Sequence, residues 1–175
     1  MFIQVIHEGW RLLLPFSVII VLVMAACSDW QSRLIPNWLS IAILIAFLGY
    51  DFSEKGGTAI GSHLIVAGSV LILLLPLFAL GKMGGGDIKL MASLGVWMGP
   101  TSILEFAILV SLLGGGLAVA YLCMGRILQF QYVSSKVWVN FQFKKFTFQD
   151  GLPYGVAISI AGIYFISTQY LRGAI

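Results

Sequence analysis

The chain has 175 residues, 59% of them apolar and only 10% charged, where a typical soluble domain is roughly 45–50% apolar and about 25% charged. That composition excludes a water-soluble globular fold and points to an all-α, polytopic membrane protein whose apolar surface is covered by the lipid bilayer. The formal charge of +3, with no dense basic stripe, excludes nucleic acid as a partner.

A crossing needs about 20 mostly apolar residues. Apolar segments run near Leu12–Cys27, Trp38–Phe52, Ile60–Leu80, Ile88–Met98, Ile103–Met124 and Leu152–Leu171, which predicts about six transmembrane helices in one integral-membrane domain over residues 1–175. Trp38–Phe52 is short, and Ile88–Met98 is shorter still before Gly99-Pro100 interrupts it. Charge arbitrates between six spans and five. With six, one side holds Arg33, Lys82, Lys89, Arg126, Lys136, Lys144 and Lys145 against Arg11, Lys55 and Arg172 on the other. Making Ile88–Met98 re-entrant weakens that bias, so the positive-inside rule favours six. Both termini then face the periplasm, and the loops after the first, third and fifth spans face the cytoplasm.

The one long polar stretch, Gly125–Gly151, alternates aromatic and polar residues at Val139–Phe143 and again at Phe146–Gln149. A period of two predicts a short cytoplasmic hairpin or an interfacial loop. Cys27 and Cys123 lie in separate apolar runs and offer neither a CxxC metal pair nor a disulfide framework. No metal site and no cofactor are expected.

Ionisable groups in or beside membrane helices are costly unless paired or wetted, so each is a functional candidate. Of the seven acids, Glu8, Asp51, Glu54 and Glu105 fall on the periplasmic side of this topology, and Asp29, Asp87 and Asp150 on the cytoplasmic side. Asp29 ends the first span, just before the helix breaker Pro36-Asn37. Asp87 follows Gly84-Gly85-Gly86, three residues that let another chain approach the backbone closely. Taken singly, each has an ordinary explanation: Asp87 as a helix N-cap, Asp29 as the partner of Arg33 four residues on. Taken together they are the pair that peptide hydrolysis needs, one carboxylate to activate water and one carboxylic acid to protonate the carbonyl oxygen. Two carboxyl groups at close range in a poorly solvated cleft cannot both ionise, so they share a proton.

The string Gly84-Gly85-Gly86-Asp87 resembles the GxGD motif of membrane aspartyl proteases, and its continuation Ile88-Lys89-Leu90 resembles the version in type IV prepilin peptidases. Asp29 followed by Ile35-Pro36-Asn37 is similar to that family's other signature, and Pro153-Tyr154-Gly155 looks like a further element shaping the last helix near the site. The resemblance implies that Asp29 and Asp87 are catalytic, at the cytoplasmic face of the inner membrane and without metal. It implies that Gly84, Gly85, Gly86, Lys89, Ile35, Pro36, Asn37, Pro153, Tyr154 and Gly155 shape the site. The implied substrate is a prepilin or pilin-like precursor, cut after a glycine between its basic leader and its hydrophobic helix.

The larger bacterial members carry a cytoplasmic domain with cysteine pairs, linked to N-methylation of the product. This chain lacks those cysteines, which implies a peptidase without methyltransferase activity, closer in form to the tight-adherence (Flp) pilus peptidases or archaeal preflagellin peptidases. The rival class is a small transporter or channel subunit using Asp29 and Asp87 for cation or proton handling, which calls for acids at mid-span rather than at one face. A non-enzymatic assembly protein would need neither aspartate. Gly114-Gly115-Gly116 is expected to permit close helix packing. His7 and His63 are expected in a periplasmic tail and at an interface, outside catalysis. The oligomeric state is not specified by any of these features.

Overall fold

The computed structural model describes residues 2–134 and 152–171, with side chains described over 12–123 and 152–170. Five α-helices follow one another: α1 (Phe2–Ser32), α2 (Asn37–Lys55), α3 (Ile60–Ala79), α4 (Gly85–Ser134) and α5 (Tyr154–Ile166), the last continued by a π-helical turn (Ser167–Leu171). The described residues contain no strand. Among the described residues, three helical stretches are long and apolar enough to cross a membrane: Leu12–Ser32, Ile60–Ala79 and Gly85–Cys123. The expected short span at Trp38–Phe52 coincides with α2, whose polar ends, Asn37 and Asp51 to Lys55, dilute its hydropathy. The expected last span is a 13-residue helix plus the π turn.

The fourth and fifth expected segments are the two arms of α4, which breaks at Gly99 (φ 60°). Proline has no N–H, so Pro100 leaves the carbonyl of Val96, four residues earlier, without its helical donor. His63 of α3 supplies the replacement, its Nδ1 meeting the Val96 carbonyl; because a carbonyl only accepts, Nδ1 carries the proton. The next carbonyl, that of Trp97, accepts from the Tyr170 hydroxyl. The Trp97 indole in turn donates to the Ile43 carbonyl at 3.0 Å, and its ring meets Phe47, Tyr50 and Tyr170. His63, half-buried in the first turn of α3 and stacked on Phe47, splices the break. A Cβ at position 99 would overlap its ring, 2.5 Å from Cε1.

The first arm of α4, residues 85–98, is the centre of the bundle. Ile88, Leu90, Met91, Ala92, Leu94, Val96, Trp97 and Met98 are all buried against α2, α3 and α5, while α1 packs on α2 and α5. Asp51, one of the acids expected on the periplasmic side, is 1% exposed. Its Oδ2 accepts from the Ala59 N–H and its carbonyl from the Gly57 N–H, closing the turn between α2 and α3. At the far end, α4 continues as helix through Ser134, so the polar stretch expected from Gly125 begins as helix rather than loop. The expected hairpin strands lie outside the described residues.

Candidate active site

Asp29 and Asp87 come from opposite ends of the sequence pattern and meet because of one packing layer below them. On α5, a Cβ at Gly162 would lie 2.9 Å from Leu94 of α4 and 3.0 Å from Leu22 of α1, so glycine here lets three helices close on one point. Two turns along each helix from that layer, about 10 Å at 1.5 Å per residue, stand Asp29 on α1, Asp87 on α4 and Gly155 on α5. The three residues form the next layer of the same crossing.

Asp29 lies in the last turn of α1, which ends three residues later at Ser32. Arg33 stops the helix in the left-handed region (φ 57°), its N–H still bonded to the Asp29 carbonyl at 3.0 Å. The Ser28 hydroxyl donates to the Leu34 carbonyl at 2.7 Å, turning the chain toward Pro36, whose extended backbone precedes α2. Asp87 lies in the first turn of α4. It is not the N-cap itself: its carboxyl turns back toward Gly84, where an added Cβ would lie 3.0 Å from Oδ2, the back-reaching half of a capping box.

Ile35 threads between two glycines. A Cβ at Gly86 would lie 3.0 Å from Ile35 Cβ, and one at Gly155 would lie 2.6 Å from Ile35 Cδ1 and 2.9 Å from both Cγ and Oδ2 of Asp29. The Asp-Ile-Pro segment, the glycine run and the start of α5 thus meet at one place with only backbone between them. Pro153 opens α5, Tyr154 packs on Gly114 of the second arm of α4, and Lys89 Nζ donates to Asn37 Oδ1 at 2.9 Å, tying the first arm of α4 to the start of α2. Gly114 meets the expectation for the Gly114-Gly115-Gly116 run, whereas Gly115 and Gly116 face open space.

Asp29 is 4% and Asp87 9% exposed, Asp87 lies within reach of the Asp29 charge, and the Gly155 backbone faces both carboxyls. Asp29 Oδ2 and Asp87 Oδ1 are buried without a hydrogen-bond partner. Buried carboxylate oxygens are rarely left so, which marks both aspartates as candidates to meet a ligand that donates hydrogen bonds. Asp150 lies outside the described residues. Among the described residues no group of three or more His, Cys, Asp or Glu side chains is gathered as a metal site.

A helical membrane bundle that buries two aspartates from separate helices over a shared glycine has the architecture of a membrane carboxylate-pair protein. The chain belongs to the type IV leader peptidase family, which residues 16–119 match. It is also 30% identical over 162 residues to the prepilin leader peptidase/N-methyltransferase of Aeromonas hydrophila, an alignment covering 88% of this chain and 49% of that protein. The chain thus spans about half the length of the curated relative it matches. No solved structure matches it.

Sequence reasoning named both aspartates and the glycines that the fold brings beside them, and did not single out Gly162 or the Arg33–Tyr121 contact. Tyr121 had a signal available, since it lies two turns beyond Gly114 on the same helix face.

Proposed function

We propose that the chain is an aspartyl endopeptidase of the inner membrane that cuts the leader from type IV prepilin or pilin-like precursors, after a glycine, at the cytoplasmic face. Two buried, incompletely bonded carboxyl groups meeting at Gly155 carry this reading. The ionised aspartate takes a proton from water as the hydroxyl adds to the scissile carbonyl carbon, and the protonated aspartate gives its proton to the carbonyl oxygen, forming a neutral gem-diol. In collapse, one diol hydroxyl returns its proton to the now ionised acid aspartate, the aspartate that took the proton from water gives it to the leaving nitrogen, and the C–N bond breaks to a carboxylic acid and an amine. The mechanism requires one carboxyl ionised and one protonated, so activity against pH should be bell-shaped.

The charge asymmetry of the sequence supports six crossings: α1, α2, α3, the two arms of α4, and α5. In that topology both aspartates lie at cytoplasmic helix ends, level with the boundary between a substrate's basic leader and its membrane helix. The test is the size shift of a pilin precursor co-expressed with wild type, Asp29→Asn or Asp87→Asn, each checked for normal membrane levels. Cleavage lost in both variants supports the reading. Normal cleavage in either removes that residue from the site and returns the cation or proton transporter to contention.

A further inference from the structure

A serine inside a helix commonly gives its hydroxyl proton to a carbonyl three or four residues back, and Ser17, Ser69, Ser93 and Ser111 all do so, at 2.7–2.9 Å. Ser159, in the middle of α5, does not. It is 0% exposed, and its Oγ is buried without a hydrogen-bond partner. Among the described residues the same holds for Asp29 Oδ2, Asp87 Oδ1 and Ser40 Oγ. Ser40 belongs to α2. Ser159, Asp29 and Asp87 belong to α5, α1 and α4, the helices that cross at Gly155 and Gly162.

The register of that crossing places Ser159. Positions 155, 159 and 162 share one face of a helix. The first meets Asp29, where an added Cβ would lie 2.9 Å from Oδ2, and the last meets Leu22 and Leu94, at 3.0 Å and 2.9 Å. Ser159 falls between these two contacts, in the layer of Ala25 on α1 and Leu90 on α4. Both are fully buried, and neither side chain can accept a hydrogen bond. One turn away, about 6 Å along the axis, Asp29 Oδ2 is turned toward α5. Helical side chains lean toward the N-terminus of their helix, which tilts the Ser159 hydroxyl toward that oxygen. A separation of this order exceeds one direct bond and suits two bonds of about 2.8 Å end to end. Buried waters are held in just such places, where two or more polar groups face them.

We propose that Ser159 is a positioning residue that holds one buried water against Asp29 Oδ2, its hydroxyl donating to the water and the water donating to the carboxyl oxygen. The bridge fixes the plane of the Asp29 carboxyl from the interior of the bundle, so that its other oxygen meets the substrate in one orientation. The inference rests on the peptidase reading above and adds a residue that none of the sequence motifs contains. It also sets the sign of a stability change. A hydroxyl buried with no partner destabilises the fold, so alanine in its place would be stabilising, whereas a hydroxyl bonded to a carboxyl through water is not removed with a gain in stability.

The test measures kcat and KM for precursor cleavage, and the denaturation midpoint in detergent, for purified wild type, Ser159→Ala, Ser159→Cys and Ser159→Thr, with Asp29→Asn as control. In Ser159→Ala kcat should fall about tenfold, the effect of losing one hydrogen bond to a charged group, with KM unchanged and the midpoint no higher than wild type. Ser159→Cys, similar in size but a weak donor, should fall with it, and Ser159→Thr, which keeps the hydroxyl, should recover most of the rate. A crystal structure of wild type should show a water within about 3.2 Å of both Ser159 Oγ and Asp29 Oδ2, lost in Ser159→Ala. Wild-type kcat in Ser159→Ala overturns the proposal, as does a raised midpoint in that variant or a wild-type structure in which no water touches both atoms. If Asp29→Asn cleaves normally, the peptidase reading itself has failed, and the midpoint and the water still report separately on the bridge.

Discussion

Gly155→Ala is the smallest change that reaches the site without replacing either aspartate. The new methyl would lie 2.6 Å from Ile35 Cδ1 and 2.9 Å from both Cγ and Oδ2 of Asp29, where ordinary carbon contacts begin at about 3.5 Å. Ile35 can yield, because its clashing atom ends a flexible side chain. Asp29 cannot yield freely, because its helix is pinned at Gly162 by Leu22 and Leu94 and is closed by the Arg33 turn. The carboxyl should therefore be displaced by about half an ångström, with overpacking of about 1–3 kcal/mol. Since a displacement of about 1 Å at a catalytic group can cost around a hundredfold in rate, cleavage should fall about tenfold or more while membrane levels stay near normal. Ile35→Val removes Cδ1 and relieves only the first contact, so Gly155→Ala with Ile35→Val should remain impaired in the same cleavage assay. Full activity in that double variant, or in Gly155→Ala alone, would refute the argument that Gly155 exists to let Asp29 approach the α5 backbone.

His63→Leu leaves the Val96 carbonyl buried opposite a proline, and should lower stability by about 1–3 kcal/mol, measured as a reduced denaturation midpoint in detergent, with the cleavage pH profile unchanged. Lys89→Met breaks an exposed bond to Asn37; such surface contacts contribute about 1 kcal/mol or less, so single-turnover cleavage should fall no more than about fivefold.

The aspartates were legible because an apolar chain with seven acids leaves few residues to choose from, and because Pro36 and the glycine run mark where helices end. The short segment before Gly99-Pro100 was harder to interpret, since length alone cannot separate a re-entrant piece from a helix arm buried on all sides by its neighbours. Gly162 was invisible for a related reason. A glycine in a membrane helix gives no hint that Leu22 and Leu94 converge on it, as that crossing depends on the relative rotation of three helices. The His63 contact could not be read because its partner is a backbone carbonyl, which sequence patterns do not display. Arg33 was read only as an ordinary partner for Asp29 four residues away, and neither its left-handed conformation nor its bond to Tyr121, 88 residues on, shows in the sequence.

The most direct test of the two-aspartate site is cleavage of a purified pilin precursor, followed by mass spectrometry, with wild type, Asp29→Asn, Asp87→Asn and the double variant, all shown to be folded. Residues that act as one unit lose activity together rather than additively, so each single variant should lose at least about a thousandfold and the double variant no more than either. A single variant that keeps a tenth of wild-type activity, or losses that multiply in the double, would contradict a shared catalytic pair.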